Sequence, residues 1–313
     1  MGSKIKIAII GLGHIGKIHI EAIQNNKNYE LIAVCDKNRY FKKLIEKSNF
    51  FESYEEMLDR GGFEVVVVAT PNKTHSTIAK DILSKGYNVI LEKPATSSLE
   101  ELQSLEKITS ETKNHIYYSF HASCASEVLW FKNYYTQNKK EFGTLQGFYS
   151  TFFDPYFIDN SLVDFAKGLE TPWMDSGVNA LSVIDCFLET NKLNISSFRV
   201  KENSLQNISS IVKFDIIEGN FGIIDTSWDQ GKNFKSTELY FENNKKIILN
   251  HTTQQVFSVI SGVNNILNEF KGERLLNHYI NIFTDYEKSL KANSFNSNQS
   301  LQIHKKLFEV GIK

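Results

Sequence analysis

"KIKIAIIGLGHIGKIHIEAI", residues 4–23, sets out a strand, a turn and a helix in direct succession. The run up to Ile10 is rich in apolar residues, as in a strand that is buried on both faces. Gly11, Gly13 and Gly16 come next, and apolar residues then recur at helical spacing. Glycine directly after a buried strand favours a tight turn. The stretch therefore predicts a strand whose end turns sharply into a helix.

The alternation of strand and helix continues to residue 120. Strand patterns occupy residues 29–36, 63–71, 87–94 and 115–121, and helical patterns occupy 38–48, 53–59, 74–85 and 98–112. Strands that alternate with helices form a parallel sheet covered by helices on both faces. Residues 1–120 are therefore predicted to form a doubly wound α/β domain. Pro71 and Pro94 would lie at the carboxyl ends of strands, the edge at which such sheets bind ligands.

The rhythm changes after residue 120. One helical stretch, 124–137, precedes long runs rich in Phe, Ile and Tyr, at 144–153, 195–202, 207–217, 220–229, 236–242 and 245–250. Short polar joints between these runs indicate a large, mostly antiparallel open sheet. Helical patterns lie at 175–189, 274–290 and 300–311. Residues 121–313 are therefore predicted to form a second domain of the α+β class.

The composition narrows the class of function. The 313 residues carry a net charge of −1, so the charge favours neither nucleic acid nor an anionic membrane as a partner. No apolar run is long enough to span a bilayer. Three scattered cysteines indicate reduced thiols and a cytoplasmic location. His, Cys, Asp and Glu residues lack metal-ligand spacing, so we expect no metal.

The three glycines have the Gly-x-Gly-x-x-Gly spacing of a dinucleotide-binding turn. Gly11 allows the tight turn, Gly13 lets the backbone approach a pyrophosphate, and Gly16 lets the helix pack on the strand. The helix N-terminus would supply N–H groups to the phosphates. Asp36 ends the second strand 20 residues after Gly16, where its carboxylate can accept hydrogen bonds from ribose hydroxyls. The sequence therefore predicts NAD or NADP. Asp36 favours NAD, and the neighbouring Lys37 and Arg39 partly oppose that preference.

Two further places carry polar groups that ordinary packing does not need. Lys93, in "LEKPATS", follows a strand at its carboxyl end, and partial burial there would lower its pKa towards values that suit proton transfer. A solvated charge pair at a turn is the alternative interpretation. Asp175 and Asn179, in "PWMDSGVNAL" (residues 172–181), lie on one helix face at i, i+4 spacing. These three residues are the candidate catalytic groups.

These motifs, in this order, resemble the Gfo/Idh/MocA oxidoreductases along nearly the whole chain: the glycine turn, "ATPNKTH" (69–75), "EKP" (92–94) and Asp-x-Gly-x-Asn (175–179). The resemblance implies a Rossmann domain followed by a domain that binds substrate and forms a homodimer or homotetramer through its open sheet. It also implies a wider cofactor site, which adds to the three glycines, Asp36 and Lys93 the following residues: His14, Ile15, Lys37, Thr70, Pro71, Asn72, His75 and Glu92.

The chain departs from the family pattern at one position. The family has Asp-x-Gly-x-His, whereas this sequence has Asn179, which cannot titrate in the working range. Asp-x-Gly-x-Asn-Ala is similar to the D-galactose and L-arabinose 1-dehydrogenases, which implies oxidation of a sugar at C1. Lys93 is then the base, Asn179 binds the reactive hydroxyl and Asp175 holds the geometry. His121 and Asp154 are implied as further substrate ligands, although His121 reads equally well as a packed strand-end histidine.

Three functions remain open from the sequence alone. The first is an NAD(P)-dependent sugar dehydrogenase, and the second is a reductase for a keto-sugar or another carbonyl compound. The third is a regulator that binds a dinucleotide without turning anything over. Retention of both Lys93 and Asp175 favours an enzyme. The sequence leaves the identity of the sugar and the direction of the reaction open.

Overall fold

A computed structural model describes residues 3–44, 49–203, 206–216 and 220–310 of the chain. It divides into two compact units, the first formed by Met1–Phe120 with Leu275–Leu301 and the second by His121–Arg274 with Gln302–Lys313. A six-stranded parallel sheet lies in the first unit and a large, mostly antiparallel sheet in the second, which confirms the predicted fold class. The sequence assigns residues 275–301 to the second domain, and here the structure differs.

The sheet of the first unit has the strand order β3-β2-β1-β4-β5-β6, and every neighbouring pair is parallel. The order reverses between β1 and β4, and ligands of such sheets bind at the carboxyl ends of the strands beside that reversal. The strands are β1 (Ile5–Ile10), β2 (Tyr29–Cys35), β3 (Asn49–Phe51), β4 (Val65–Val68), β5 (Asn88–Glu92) and β6 (Ile116–Ser119).

Within the described residues, the α-helices that connect these strands are α1 (His14–Gln24), α2 (Tyr54–Arg60), α3 (His75–Ser84) and α4 (Leu99–Glu111). Serine side chains cap two of them, since Ser53 accepts a hydrogen bond at the start of α2 and Ser98 at the start of α4. The helix predicted at 38–48 is a 3₁₀ helix at Arg39–Leu44, and its residues 45–48 lie outside the described residues.

The sheet of the second unit has the strand order β10-β11-β12-β7-β13-β14-β15-β16. All pairs are antiparallel except β12 with β7. A small hairpin, β8 with β9, lies outside it. The strands are β7 (Leu145–Phe153), β8 (Phe157–Ile158), β9 (Ser161–Leu162), β10 (Leu193–Asn203), β11 (Gln206–Ile216), β12 (Asn220–Ser227), β13 (Phe234–Phe241), β14 (Lys246–Asn250), β15 (Gln255–Ile260) and β16 (Val263–Glu269).

Helices α5 (Ser126–Gln137), α6 (Lys139–Phe142) and α7 (Val178–Asp185) lie in the same unit as this sheet. A π-helical turn, Trp173–Gly177, leads directly into α7. The single helix predicted at 175–189 is therefore a π turn followed by a shorter α-helix. Most side chains of α7 are buried, which places its polar residues inside the unit.

Helix α8 (Arg274–Ala292) supplies an aromatic face to the first unit, and α9 (Ser297–Glu309) follows it. The Tyr29 hydroxyl donates to the Phe283 carbonyl at 2.8 Å, and the rings of Tyr117 and Tyr286 meet edge to face. The Asn296 side chain exchanges two hydrogen bonds with the backbone of Tyr118. These contacts explain why 275–301 belongs to the first unit. None of the helices in the described part of the chain has the length and apolar character needed to cross a bilayer.

Candidate active site

The glycine turn joins β1 to α1 in the first unit. Gly11 has φ +93°, and a Cβ added there would lie 2.5 Å from the Ala69 carbonyl oxygen. A Cβ at Gly16 would lie 2.0 Å from the Gly11 carbonyl oxygen, whereas at Gly13 it would meet nothing within 4 Å. Gly13 and His14 are exposed at the start of α1. The turn is thus packed on one side and open on the side where a pyrophosphate would approach the helix N-terminus.

Asp36 lies directly after β2 with its carboxylate fixed by two backbone donors. The Leu12 amide donates to one oxygen at 2.7 Å, and the Asn38 amide donates to the other at 2.8 Å. The side chain is only partly buried, and Lys37 beside it is exposed. A carboxylate has about four acceptor positions, so Asp36 retains capacity for the hydroxyls of a ribose.

The loop after β4 carries Thr70, Pro71 and Asn72, and all three are at least partly exposed. His75 follows at the start of α3, and here the structure differs from the expected cofactor contact. Its side chain is completely buried, with Nε2 at 2.8 Å from the Thr70 carbonyl and Nδ1 at 3.0 Å from the Pro94 carbonyl. Because both ring nitrogens face backbone oxygens, His75 connects two loops and turns no polar atom towards solvent.

The resemblance implies that Glu92, the last residue of β5, belongs to the cofactor site, whereas its side chain is buried and its carboxylate contacts protein groups. Its Oε1 accepts hydrogen bonds from His19 Nε2 at 2.9 Å and from the Ser119 hydroxyl at 2.7 Å. Burial opposes ionisation, but these hydrogen bonds and the charge of Lys93 outweigh it, so the pKa of Glu92 lies below its ordinary value. Lys93 follows, partly exposed, and its peptide bond to Pro94 is cis.

In the second unit, Asp175 and Asn179 lie one turn apart where the π turn enters α7. Asn179 Nδ2 donates to the Asp175 carbonyl at 3.3 Å. Asn179 Oδ1 is buried and has no hydrogen-bond partner among the described residues. Leaving a buried acceptor unpaired costs about 1–3 kcal/mol, so a donor from a ligand or water would stabilise it. His121 is partly exposed, two residues after β6 ends.

Asp154, directly after β7, lies at the centre of a buried polar cluster. Lys235 Nζ on β13 lies 2.5 Å from Asp154 Oδ1, and the Ser176 hydroxyl donates to Oδ2 at 3.2 Å. The Asp154 and Lys235 side chains are 7% and 9% exposed. Burial lowers the pKa of Lys235, and the charge of Asp154 opposes that shift. Burial, and then the charge of Asp154, raise the pKa of Tyr156, whose hydroxyl also bonds to Asp154.

Lys235 and His19 contact the candidate site residues Asp154 and Glu92, although the sequence patterns do not predict either of them as part of the site. Lys235 lies in an alternating strand pattern that gives no sign of a buried cation. His19 lies on the buried face of α1, three residues after Gly16. Residues at this spacing share a helix face, so the spacing from Gly16 is the sequence feature that indicates its burial. Among the described residues, no group of three or more His, Cys, Asp or Glu side chains is placed to hold a metal ion.

A cavity of about 470 Å³ opens beside the π turn of the second unit. Trp173, Met174 and Phe198 contribute apolar surface, and Glu170 and Lys167 contribute charge. Small-molecule sites generally measure about 300–1,000 Å³. The cavity therefore has the size of a ligand site and shares its wall with the turn that carries Asp175.

Comparison with known proteins defines the class of the first unit. Residues 5–120 match the family model described as the oxidoreductase family with an NAD-binding Rossmann fold, GFO_IDH_MocA. At residues 5–120 the chain therefore carries the Rossmann domain of the Gfo/Idh/MocA oxidoreductase family. Over 109 residues the chain is 38% identical to glucose-6-phosphate 3-dehydrogenase of Bacillus subtilis. That match covers 34% of this chain and 30% of the relative, so the chain is matched over about a third of the relative's length.

Solved structures resemble the chain over almost its whole length. D-galactose-1-dehydrogenase from Rhizobium etli has a TM-score of 0.79 at 20% identity, covering 99% of this chain and 96% of that one. KijD10, a 3-ketoreductase from Actinomadura kijaniata in complex with TDP-benzene and NADP, has a TM-score of 0.82 at 13% identity, with coverages of 99% and 98%. At these identities the likeness establishes the fold.

Proposed function

We propose that this protein is an NAD(P)-dependent dehydrogenase that oxidises an aldose at C1 to the lactone. The observation that supports the proposal most directly is the glycine turn, which is packed shut at Gly11 and Gly16 and open at Gly13. The family of the Rossmann domain supports oxidoreductase chemistry. The name of the Rhizobium etli structure, D-galactose-1-dehydrogenase, supports a sugar C1 as the reacting centre.

The residues of the first unit fit a nicotinamide dinucleotide. The turn at Gly13 and the first N–H groups of α1, from His14 and Ile15, would hold the pyrophosphate. Asp36 would accept hydrogen bonds from the adenosine ribose, and its charge would disfavour the extra phosphate of NADP. Thr70, Pro71 and Asn72 would line the site beside it. Once bound, the nicotinamide supplies the hydride acceptor.

Loss of a hydride from C1 also requires removal of the hydroxyl proton, and we assign that step to Lys93 in its neutral form. The ionised carboxylate of Glu92 would stabilise the ammonium that results. Asn179 would bind the reacting hydroxyl through its amide, which changes no charge. Asp175 would fix the hydroxyl geometry, and Asp154 would offer one remaining acceptor position to a neighbouring hydroxyl. His121 stays a proposed hydroxyl ligand.

A second candidate is a keto-sugar reductase or a dehydrogenase that acts at another carbon. The names of two similar proteins favour it, since one is a 3-dehydrogenase and the other a 3-ketoreductase. The same fold and the same base serve either direction of hydride transfer. The distinction therefore rests on the product.

The test is a screen of absorbance at 340 nm that pairs NAD⁺ and NADP⁺ with galactose, arabinose, fucose, glucose, xylose and inositol, followed by product analysis. Lys93→Ala is expected to lower kcat by about 10²–10⁴-fold, the usual value of a positioned acid or base, while cofactor binding persists. Lys107→Ala, an exposed lysine on α4, is the matched control and should retain full turnover. Retention of most turnover in Lys93→Ala would contradict the assignment of the base.

A further inference from the structure

Two buried histidines lie on either side of the turn that carries Lys93. His19, on α1, and His75, on α3, both have completely buried side chains in the first unit. His19 reaches the residue before Lys93, because its Nε2 lies 2.9 Å from Glu92 Oε1. His75 reaches the residue after Lys93, because its Nδ1 lies 3.0 Å from the Pro94 carbonyl. The two side chains therefore hold the turn from both sides.

The carboxylate of Glu92 links His19 to the backbone of Lys93. An ionised carboxylate can only accept hydrogen bonds, so the proton of the His19 ring lies on Nε2. The other oxygen of Glu92 accepts the Lys93 backbone N–H at 3.2 Å. His19 Nδ1 has no hydrogen-bond partner among the described residues, and the ring packs edge-on against Tyr279 at 4.5 Å. Among the described residues, the His19 ring therefore makes its hydrogen bond to Glu92.

The contacts made by His75 link the Lys93 turn to the cofactor loop. Its Nε2 lies 2.8 Å from the Thr70 carbonyl, in the loop after β4. Burial lowers the pKa of His75, although the two carbonyls oppose the shift. The neutral ring carries one N–H and donates to one of these carbonyls at a time. Each ring nitrogen of His75 thus serves a different loop.

We propose that His19 and His75 are positioning residues that set the backbone at Lys93, His19 through Glu92 and His75 through the Pro94 carbonyl. The proposal rests on the assignment of Lys93 as the base in the preceding section. Neither histidine touches substrate or cofactor in this scheme. Their effect on turnover comes from the placement of the Lys93 side chain, and a misplacement of about 1 Å can lower a rate by about 10²-fold.

Replacement of His19 by Gln or by Asn, which differ by one methylene group, distinguishes a positioning role of this residue from a packing role. His19→Gln places an amide donor near the former Nε2 and keeps the bond to Glu92, whereas His19→Asn places its amide near Nδ1, where no acceptor lies. We expect His19→Gln to retain kcat within about twofold and His19→Asn to lose about 10–100-fold, with the cofactor Kd unchanged in both. Ser119→Ala removes the second donor to the same oxygen and should lower kcat without removing a buried ring.

The same pair of replacements gives the reverse order at His75. His75→Asn keeps a donor towards Pro94 and should retain kcat while it weakens cofactor binding through the Thr70 loop. His75→Gln keeps a donor towards Thr70 and should retain cofactor affinity while kcat falls. A packing role alone would lower the thermal midpoint in both variants without this crossover.

Amide hydrogen exchange at Lys93, followed by mass spectrometry on a peptide spanning residues 88–97, in which Lys93 is well inside the N-terminus, provides a readout without turnover. His19→Asn should speed exchange in this peptide about tenfold or more, with exchange elsewhere in the first unit unchanged, because local opening is then favoured. Equal kcat and equal exchange in His19→Asn, His19→Gln and Ser119→Ala would overturn the proposal. If the unmodified protein oxidises none of the sugars, the proposed function fails, and the exchange data alone decide whether the histidines hold the turn.

Discussion

At the scale of single residues, the second unit is distinguished by an ion pair that has almost no contact with water. Asp154 accepts hydrogen bonds from Lys235, Ser176 and Tyr156, and it lies at the end of a central strand. Removing two charges from water costs several kcal/mol per ion unless each has partners. Three donors on one carboxylate supply those partners. Asp154 therefore holds the neighbouring Ser176 and Lys235 side chains in place.

The pair predicts a strongly non-additive response to mutation. Lys235→Met or Asp154→Asn alone leaves one buried side chain without its partner, and each should cost about 3–5 kcal/mol in the free energy of unfolding. The double variant should cost clearly less than the sum, because neither charge then remains. Urea unfolding followed by circular dichroism measures all four proteins of the cycle.

A matched pair on the neighbouring strands serves as the control. Lys246 and Glu238 lie 2.7 Å apart, with side chains 29% and 30% exposed. Lys246→Met should cost less than about 1 kcal/mol, since a partly solvated pair contributes little. Additive effects in the Asp154 and Lys235 cycle would show that the two charges do not stabilise each other.

At the scale of secondary-structure elements, the segment formed by β1, the glycine turn and α1 contains one glycine that we expect to affect stability and another that we expect to affect cofactor binding. A Cβ at Gly16 would collide with the Gly11 carbonyl, so Gly16→Ala should cost about 1–3 kcal/mol of stability, as overpacking does. Gly13 has φ −62° and open space around it, so Gly13→Ala should change stability by less than about 0.5 kcal/mol.

Cofactor affinity should depend on Gly13, the glycine whose replacement leaves stability almost unchanged. Because a methyl group at Gly13 would occupy the open side of the turn, Gly13→Ala should weaken NAD⁺ binding about tenfold or more, a change of about 1.4 kcal/mol. Fluorescence titration with NAD⁺, together with thermal unfolding, checks both variants. Unchanged affinity in a well-folded Gly13→Ala protein would show that the pyrophosphate does not approach this residue.

Sequence patterns predict the elements whose burial is regular. The parallel strands of the first unit are almost continuously apolar, so the sequence predicts β1, β2, β4, β5 and β6. It does not predict β15 or β16, and β16, "VNNILNE", is exposed along nearly its whole length and carries no alternation. The short β3 has only three residues. The sequence predicts helix α8, and the amphipathic pattern indicates that one face of it is buried. The pattern does not indicate which part of the protein covers that face.

The candidate site shows the same limit. Local sequence order predicts the features that the backbone determines. These are the glycine turn and the positions of Asp36 and Lys93 at the ends of strands. The burial of His75, Glu92 and Asp154 depends on side chains brought together from distant segments, such as Asp154 with Lys235, 81 residues apart. Local spacing carries no information about such pairs.

At the scale of the whole molecule, the chain returns to its first unit after completing most of the second. Residues 275–301 bring α8 to the first unit, where Tyr279, Ile282, Phe283 and Tyr286 are buried to within 1%. Burial of one such side chain contributes about 1.5–3 kcal/mol, so the four together are comparable with a net domain stability of about 5–15 kcal/mol. The first unit is thus discontinuous in sequence but continuous in its core.

This arrangement predicts that a fragment of residues 1–120 fails to fold cooperatively, because the apolar surface beneath α8 would be exposed to water. The same fragment joined through a flexible Gly/Ser linker to residues 275–301 should regain a cooperative urea transition and lose its binding of the dye ANS. Within the joined chain, Phe283→Ala should cost about 3–5 kcal/mol, whereas the exposed Lys288→Ala should change stability by less than about 0.5 kcal/mol. Equal urea midpoints for the short fragment and the joined chain would mean that α8 is dispensable, and residues 1–120 would then be a complete folding unit by themselves.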